Sequence, residues 1–324
     1  MSDELVVDNS ILSATARCHT YSYVRYALGL RTRVEALALE AGSAIHVGME
    51  HWMTDKQRSV PKAVQAMAEY YEPVVASYLR SVEQDRLGKD DARFEPERVE
   101  AIFHQHLTQL SEQFPFLVIK GAVEKPVSAV LRPGILYVAR LDAIVRRSDA
   151  GEKWSFDHKS TRKITDWWKD KQKVSSQWSG QVWIGKQQES EHNLAGIILH
   201  VIELPEPHVS GNTCREHKVP YTECSIRHAG YDYIYVTRSE PELEAWELSA
   251  NRLATQYQKL VKRAGEEGIE GVREVSMQGR FNEGCVFCDM KEWCRLGRNT
   301  SERVVRATFQ HSEWNPLKQK EVVV

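Results

Sequence analysis

Residues 135–161 read ILYVARLDAIVRRSDAGEKWSFDHKST, and this stretch decides the fold. Two runs rich in β-branched and aromatic residues, 135–146 and 153–160, flank a turn sequence, SDAG. A third such run, 117–131, precedes the turn sequence RPG. Short runs of this composition between turn residues are typical of strands. The sequence therefore predicts a three-stranded antiparallel meander.

Apolar residues three and four positions apart predict helices on both sides of this meander. Before it the helical pattern covers about 9–87 and 96–114. After it we expect a helix at 175–188, strands at 194–204 and 231–237, and a long helix at 240–264. The fold class is therefore α/β, with a central mixed sheet flanked by helices. We expect one integrated unit made of an N-terminal helical region, 1–115, a core, 116–265, and a Cys-rich, then polar, C-terminal segment, 266–324.

Composition limits the functions to consider. The 324 residues are 42% hydrophobic, which is enough to build a core, and the net charge of −2 gives no overall attraction to nucleic acid. Any DNA path must therefore be a local groove. The chain has neither an apolar run of the length that a membrane span needs nor the residue order of a signal peptide. We expect a soluble, cytoplasmic protein with no membrane partner, in which the six cysteines are poor candidates for disulfides and the clustered ones bind metal.

Three acids and a lysine are predicted to share one face of the meander. Side chains two apart in a strand point the same way, so Asp157 and Lys159 point together while His158 points to the other face. A turn centred between residues 149 and 150 pairs residues whose numbers sum to 299, which places Asp142 opposite Asp157. A turn centred on residue 133 gives a sum of 266 and adds Glu124 to the row.

Opposed carboxylates repel each other, and a divalent cation is the natural compensator. Carboxylate oxygens suit Mg²⁺ or Mn²⁺, which activate water and stabilise charge on a phosphate under attack. Lys159 would add a positive donor beside that charge. The alternative is a set of solvated acids on an exposed sheet face, with Lys159 as their surface partner.

The Asp142, Asp157-His158-Lys159 pattern resembles the motif of the PD-(D/E)XK nuclease superfamily, and its surroundings resemble the RecB-like branch. The resemblance implies a restriction-endonuclease-like sheet. In that branch a Gly-x-x-x-His element precedes the sheet, and residues 42–46 match it, which implies metal ligation by His46. A lone helical histidine is otherwise more often structural. The branch also has a Gln-x-x-x-Tyr element, but here Gln181 stands where Tyr is expected, so Gln177 and Gln181 compete for orienting the water or phosphate. Either glutamine could equally be polar surface.

The cysteines are the second part of the resemblance. Cys285, Cys288 and Cys294 have a spacing that lets three thiolates converge, and Cys18 is the candidate fourth ligand. Four cysteines hold either zinc or an iron-sulfur cluster, and spacing alone does not choose. RecB-like nucleases with a 4Fe-4S cluster, including CRISPR-associated single-strand exonucleases and AddB-type nuclease domains, are similar in having one Cys before the nuclease motifs and three after. A second metal site in the loop with Cys214 and Cys224 is the weaker alternative to a solvated insertion.

Two stretches mix aromatic and basic residues, as single-strand binding surfaces do. The first follows the predicted strand that carries Asp157 and Lys159, here called the catalytic strand. It contains Trp167, Trp168, Lys169 and Lys171. The second, beside Cys18, contains Tyr21 and Arg25. The alternative for the first stretch is a helix that packs its tryptophans inward and leaves its lysines in solvent.

Together these patterns predict a metal-dependent DNA nuclease. The resemblance implies an exonuclease that acts on single-stranded DNA ends, with Mg²⁺ or Mn²⁺ and a 4Fe-4S cluster as cofactors and a recombination or replication protein as partner. Two alternatives stay open. One is a catalytically inactive DNA-binding or assembly subunit, against which the intact Asp142, Asp157 and Lys159 argue. The other is a zinc-stapled scaffold unrelated to nucleases.

Overall fold

The computed structural model describes most of the chain. It covers residues 4–32, 36–81, 92–147, 151–188, 194–205, 229–275 and 309–316, together with positions 213, 218–220, 285, 288, 290–291, 294 and 305. The chain divides into two compact units. Unit 1 is built from Met1–Arg33, Pro126–Arg140 and Ser239–Lys320, and unit 2 from Val34–Lys125 and Leu141–Arg238.

Unit 2 begins with three helices, α3 (Leu37–Thr54), α4 (Val60–Ser81) and α5 (Pro96–Gln113). The turn between α3 and α4 is closed by Asp55, whose carboxylate accepts hydrogen bonds from the backbone N–H groups of Gln57 and Ser59. At Gly48 the helices approach closely, because a Cβ atom there would lie 2.4 Å from Cε1 of Phe103. The helices bury a common apolar face against the sheet, with Phe156 at 0% exposure.

The larger sheet is mixed. Its order is β4 (Ile135–Arg147), β5 (Lys153–Thr161), β6 (Gly196–Glu203) and β7 (Tyr231–Val236), and β3 (Phe116–Arg132) also pairs with β4. The β4–β5 and β6–β7 pairs are antiparallel, whereas β5 and β6 are parallel. A parallel pair needs a long crossover, and here α6 (Asp166–Lys173) and α7 (Ser176–Gln187) provide it. The predicted central mixed sheet with flanking helices is confirmed.

Unit 1 contains β1 (Leu5–Val7), α1 (Asn9–Arg17), α2 (His19–Ser22), β2 (Leu30–Thr32), α8 (Glu240–Glu267) and β8 (Phe309–His311). A π-helical turn, Tyr23–Ala27, follows α2, and a 3₁₀ segment, Gly268–Glu274, follows α8. Strand β1 runs parallel to the start of β4, and β2 pairs antiparallel with β8.

Side-chain caps fix the ends of the unit 1 helices. Asp8 accepts the backbone N–H of Ile11 at the start of α1 and also the indole N–H of Trp314, at 2.8 and 3.0 Å. Ser239 and Glu242 form a reciprocal capping box at the start of α8. None of the described helices is both long and apolar enough to cross a lipid bilayer.

Candidate active site

The β4–β5 hairpin determines which side chains meet. All four of its pairs, from Ala143↔Phe156 to Arg146↔Lys153, have the predicted sum of 299. Beyond Ala143 the carboxylate of Asp142 continues the pairing, because its Oδ2 accepts the backbone N–H of His158 at 2.9 Å. The side chain of Asp142 thus takes the place of a backbone acceptor where the two strands separate.

His46, Glu124 and Asp142 converge. One ligand atom of each lies within 4.8 Å of the others, an arrangement that could hold a metal ion. The imidazole Nδ1 of His46, on α3, lies 3.0 Å from Asp142 Oδ2. Glu124 lies on β3 in the left-handed backbone region, with φ of 49°, which interrupts the regular pleat. One imidazole nitrogen and two carboxylates are donors that suit Mg²⁺ or Mn²⁺, so the residues fit such an ion.

Asp157 and Lys159 form the second part of the site. Lys159 Nζ lies 2.5 Å from Asp157 Oδ1, and the side chains are 28% and 3% exposed respectively. Gln181, on α7, donates its amide N–H to Asp157 Oδ2 at 3.2 Å and accepts the hydroxyl of Ser155 at 3.1 Å. Lys159 Nζ also lies 5.0 Å from the ring centroid of Trp178. The buried carboxylate therefore has fixed partners, and the Lys159 side chain is only partly buried.

The two aspartates differ electrostatically. Burial, reinforced by the Asp142 charge, raises the pKa of Asp157 above its usual value. Burial also opposes ionisation of Asp142, but His46 and Lys159 outweigh it and hold the pKa of Asp142 below its usual range. The same contacts raise the pKa values of His46 and Lys159 although burial alone would lower them. The surroundings therefore favour the ionised form at Asp142, beside the histidine and glutamate, more than at Asp157.

The structure separates the two competing glutamines. Gln181 is 3% exposed and hydrogen-bonded to Asp157, whereas Gln177 is half-buried in the first turn of α7. In an α-helix a shift of four residues moves a side chain one turn along nearly the same face, so the sequence pattern alone could not choose between them.

Sequence reasoning missed a buried histidine row on the opposite face of β5. His158, His200 and Tyr233 are direct partners across β5, β6 and β7, and His106 of α5 packs on His200. His158 Nδ1 lies 2.9 Å from His200 Nδ1. Burial lowers the pKa of His158 to about 3 and that of His106 to about 4. A histidine inside an otherwise apolar strand was the available signal.

Alternation along β5 predicts that His158 points away from the acids. Its ring does lie against His200, but the residue still contacts the candidate site. Its backbone N–H binds Asp142, and its ring centroid lies 5.8 Å from that of His46. His158 therefore contacts two residues of the candidate site, Asp142 through its backbone and His46 through its ring.

The four predicted cluster ligands all belong to unit 1. Each is half-buried. Cys18 ends α1, where its backbone N–H binds the carbonyl of Ala14, and the N–H of Cys288 binds the carbonyl of Cys285. Cys214 and Cys224, for which a solvated insertion is preferred over a second metal site, lie outside the described residues.

The predicted DNA contacts have different surroundings. Trp167 is 71% exposed and Trp168 half-buried, so the inward-packed alternative is wrong for Trp167. Lys169 is paired with Asp232 at 2.5 Å, whereas Lys171 Nζ lies 5.4 Å from the ring centroid of Trp167.

The two predicted contacts of unit 1 have partners within that unit. Arg25 donates to the carbonyl of Ser312 at 3.3 Å and packs on Trp314. The guanidinium of Arg17 lies 4.3 Å from the ring centroid of Tyr21. Arg25 and Tyr21 therefore make contacts within unit 1.

A comparison with protein families agrees with this geometry. Residues 9–295 match the family model described as the PD-(D/E)XK nuclease superfamily. The chain belongs to this superfamily. No curated protein matches the sequence. Asp142, Asp157 and Lys159 are the residues predicted from the sequence to form the motif of these nucleases, an aspartate followed by an Asp/Glu-x-Lys pair. They lie in unit 2, with His46 and Glu124 beside them.

Proposed function

We propose that this protein is a metal-dependent deoxyribonuclease. The observation that carries the proposal is the convergence of His46, Glu124 and Asp142 beside the Asp157–Lys159 pair. A set of merely solvated surface acids would not be buried as Asp157 is, at 2% exposure. Burying a carboxylate is costly unless it is paired, so a fold that keeps the buried Asp157 near a second, half-buried acid, Asp142, has a use for their charge.

Each residue has a separate task in this proposal. His46, Glu124 and Asp142 would hold Mg²⁺ or Mn²⁺, with Asp157 as the adjacent second aspartate. The ion supplies an activated water and stabilises negative charge on the phosphate. Lys159, whose side chain is partly exposed, donates an N–H hydrogen bond to a phosphate oxygen as charge develops there. Gln181 orients Asp157, and the His158 backbone orients Asp142.

The substrate is single-stranded DNA, and the cleavage mode is exonucleolytic. Support for both comes from the resemblance to the cluster-bearing RecB-like nucleases, with which a recombination or replication partner also agrees. A closed circle tests the mode directly. An exonuclease leaves circular single-stranded DNA intact and degrades the linearised form, whereas degradation of the circle would overturn this part of the proposal and leave the nuclease itself standing.

The main experiment compares the parental protein with Asp142→Asn and Asp157→Asn on end-labelled DNA with Mg²⁺, Mn²⁺ or EDTA. We expect cleavage by the parental protein that EDTA abolishes, and loss of cleavage in both variants. Both substitutions keep the side-chain volume, so the fold is preserved. If the parental protein binds DNA but never cleaves it, the inactive-subunit alternative is correct. If both variants cleave at the parental rate, the proposed site is wrong.

We also propose a 4Fe-4S cluster held by Cys18, Cys285, Cys288 and Cys294. Support comes from their order around the nuclease motifs and their place in one compact unit. The cluster would join the N-terminal segment to the C-terminal one and stabilise unit 1 as a metal-linked loop closure. Its role is structural.

Anaerobically purified protein tests this cluster independently of cleavage. We expect brown protein with about four irons per chain, the content of one such cluster. Cys18→Ala should lose the iron and much of the soluble yield, whereas Asp142→Asn, in the other unit, should keep both. Colourless protein with stoichiometric zinc would show that the four cysteines bind zinc instead.

A further inference from the structure

Helix α6 exposes an apolar face directly after the catalytic strand. None of its eight residues is buried, although it carries two tryptophans. Trp167 is 71% exposed, and Val174, at the C-terminal cap of the helix, is 81% exposed. With Lys171 they are spaced four and three residues apart, so the three lie on one side of the helix. A single exposed apolar residue needs no explanation. Two exposed apolar side chains, Trp167 and Val174, aligned on one side of a helix with Lys171 between them, do need one.

This exposure is not the result of a frayed helix, because α6 is held by polar contacts. The hydroxyl of Thr165 caps its start by accepting the backbone N–H of Trp168 at 3.2 Å. Lys169 pairs with Asp232 on the far side of the helix from Trp167. Arg238 closes its end by donating to the carbonyl of Lys173 at 2.6 Å. The Trp167 face is therefore presented to solvent in a fixed orientation.

The Trp167 face lies close to the candidate active site in the sequence. Trp167 follows Lys159 by eight residues, so the two Cα atoms are at most about 29 Å apart, at up to ~3.6 Å per extended residue. At about 3.4 Å per nucleotide, a DNA strand covers that distance in eight or nine nucleotides. A strand whose phosphate lies at Lys159 can therefore reach this face.

We propose that the Trp167–Lys171–Val174 face binds unpaired DNA by stacking a base on Trp167. This inference rests on the proposed function and adds how the strand is held. The indole offers a flat surface for a base, and Lys171, 5.4 Å from the ring centroid, supplies the charge for a flanking phosphate. The surroundings are basic, since residues 162–173 hold five Lys and Arg against two Asp. Only unpaired bases expose the ring faces that Trp167 can use, so the site selects single strands.

The test measures binding of fluorescein-labelled (dT)20 by anisotropy in EDTA, where the metal site plays no part. Stacking is worth about 1–3 kcal/mol per base, so Trp167→Ala should weaken the affinity roughly 5- to 150-fold. Trp167→Phe should retain most of it. Leu248→Ala removes a side chain that is 56% exposed in unit 1 and should bind as the parental protein does.

Two further measurements separate stacking from charge. On an abasic strand of the same length, the parental protein and Trp167→Ala should bind equally, because there is no base to stack. Lys171→Gln should reduce the slope of log affinity against log salt by about 0.7, the value for one phosphate contact on a single strand.

An affinity of Trp167→Ala for (dT)20 within twofold of parental, or equal losses on abasic and normal strands, would overturn the inference. If that happens while the parental protein cleaves DNA in Mg²⁺, the proposed function still stands. If Trp167 governs binding but no cleavage occurs with any metal, the nuclease proposal fails and the binding surface stands.

Discussion

Replacing Lys159 with Met separates the structural from the chemical role of the Asp157–Lys159 pair. Met retains most of the side-chain length and removes the charge. Asp157, which is 2% exposed, then keeps the Gln181 hydrogen bond as its one side-chain hydrogen bond among the described residues. Breaking a buried ion pair costs about 3–5 kcal/mol. Because Lys159 is 28% exposed and solvent already screens part of the pair, we expect a loss of about 2–3 kcal/mol.

The matched control is the double variant Lys159→Met with Asp157→Asn, in which no buried charge is left unpaired. Urea unfolding in EDTA should show that the double variant recovers most of the stability lost by Lys159→Met, a coupling of about 2 kcal/mol. Cleavage should not recover. Each single variant and the double variant should cleave at least ~100-fold more slowly, the usual cost of losing one preorganised donor to developing charge.

Two results would refute this reasoning. If Lys159→Met cleaves at the parental rate, Lys159 does not contact the reacting phosphate. If the double variant loses as much stability as Lys159→Met and Asp157→Asn lose together, the free energies simply add and the ion pair contributes nothing to stability.

Two further predictions concern packing and pH. The pKa of His106 in the fold, about 4, lies below the usual 6.5, so its contribution to stability is complete above pH 6.5 and is lost as the pH falls towards 4. His106→Leu should therefore flatten the fall of unfolding free energy with falling pH by up to ~1.4 kcal/mol per pH unit, as measured by urea titrations at several pH values. Gly48→Ala should destabilise the protein by about 1 kcal/mol or more, because the clash with Phe103 outweighs the better helix propensity of Ala. Gly42→Ala, whose Cβ meets only a hydroxyl at 3.5 Å, should be neutral or stabilising in thermal unfolding, and equal effects at the two glycines would contradict the packing argument.

The sheet was largely predictable because its signals are local. The turn sequence at 148–151 and the alternation of β5 fix the register, so the sum of 299 predicted from the sequence is the one found. Helices α7 and α8 begin and end within about three residues of the predicted positions, since apolar periodicity marks them. Non-local pairing was not predictable. Nothing in the sequence of 196–203 shows that it lies parallel to β5 rather than beside another strand.

The candidate site was likewise predictable only where its signals are local. Asp142 and Lys159 follow from one hairpin, whereas the approach of His46 required α3 to pack on β5, and its prediction depended on the family resemblance. Glu124 reaches the group with a left-handed backbone, which pairing arithmetic does not anticipate. His200 was missed because parallel pairing brings it to His158 from 42 residues away.

Binding of Mn²⁺, followed by the loss of the free-ion signal in electron paramagnetic resonance, tests the central claim most directly. The claim is that His46, Glu124 and Asp142 form the site that holds the catalytic metal. We predict saturable binding by the parental protein, with an affinity at least tenfold lower in both Glu124→Gln and Asp142→Asn. Lys159→Met, which removes no ligand, should still bind. Unchanged Mn²⁺ affinity in Asp142→Asn, or no binding by a folded parental protein that nonetheless cleaves DNA, would contradict the account.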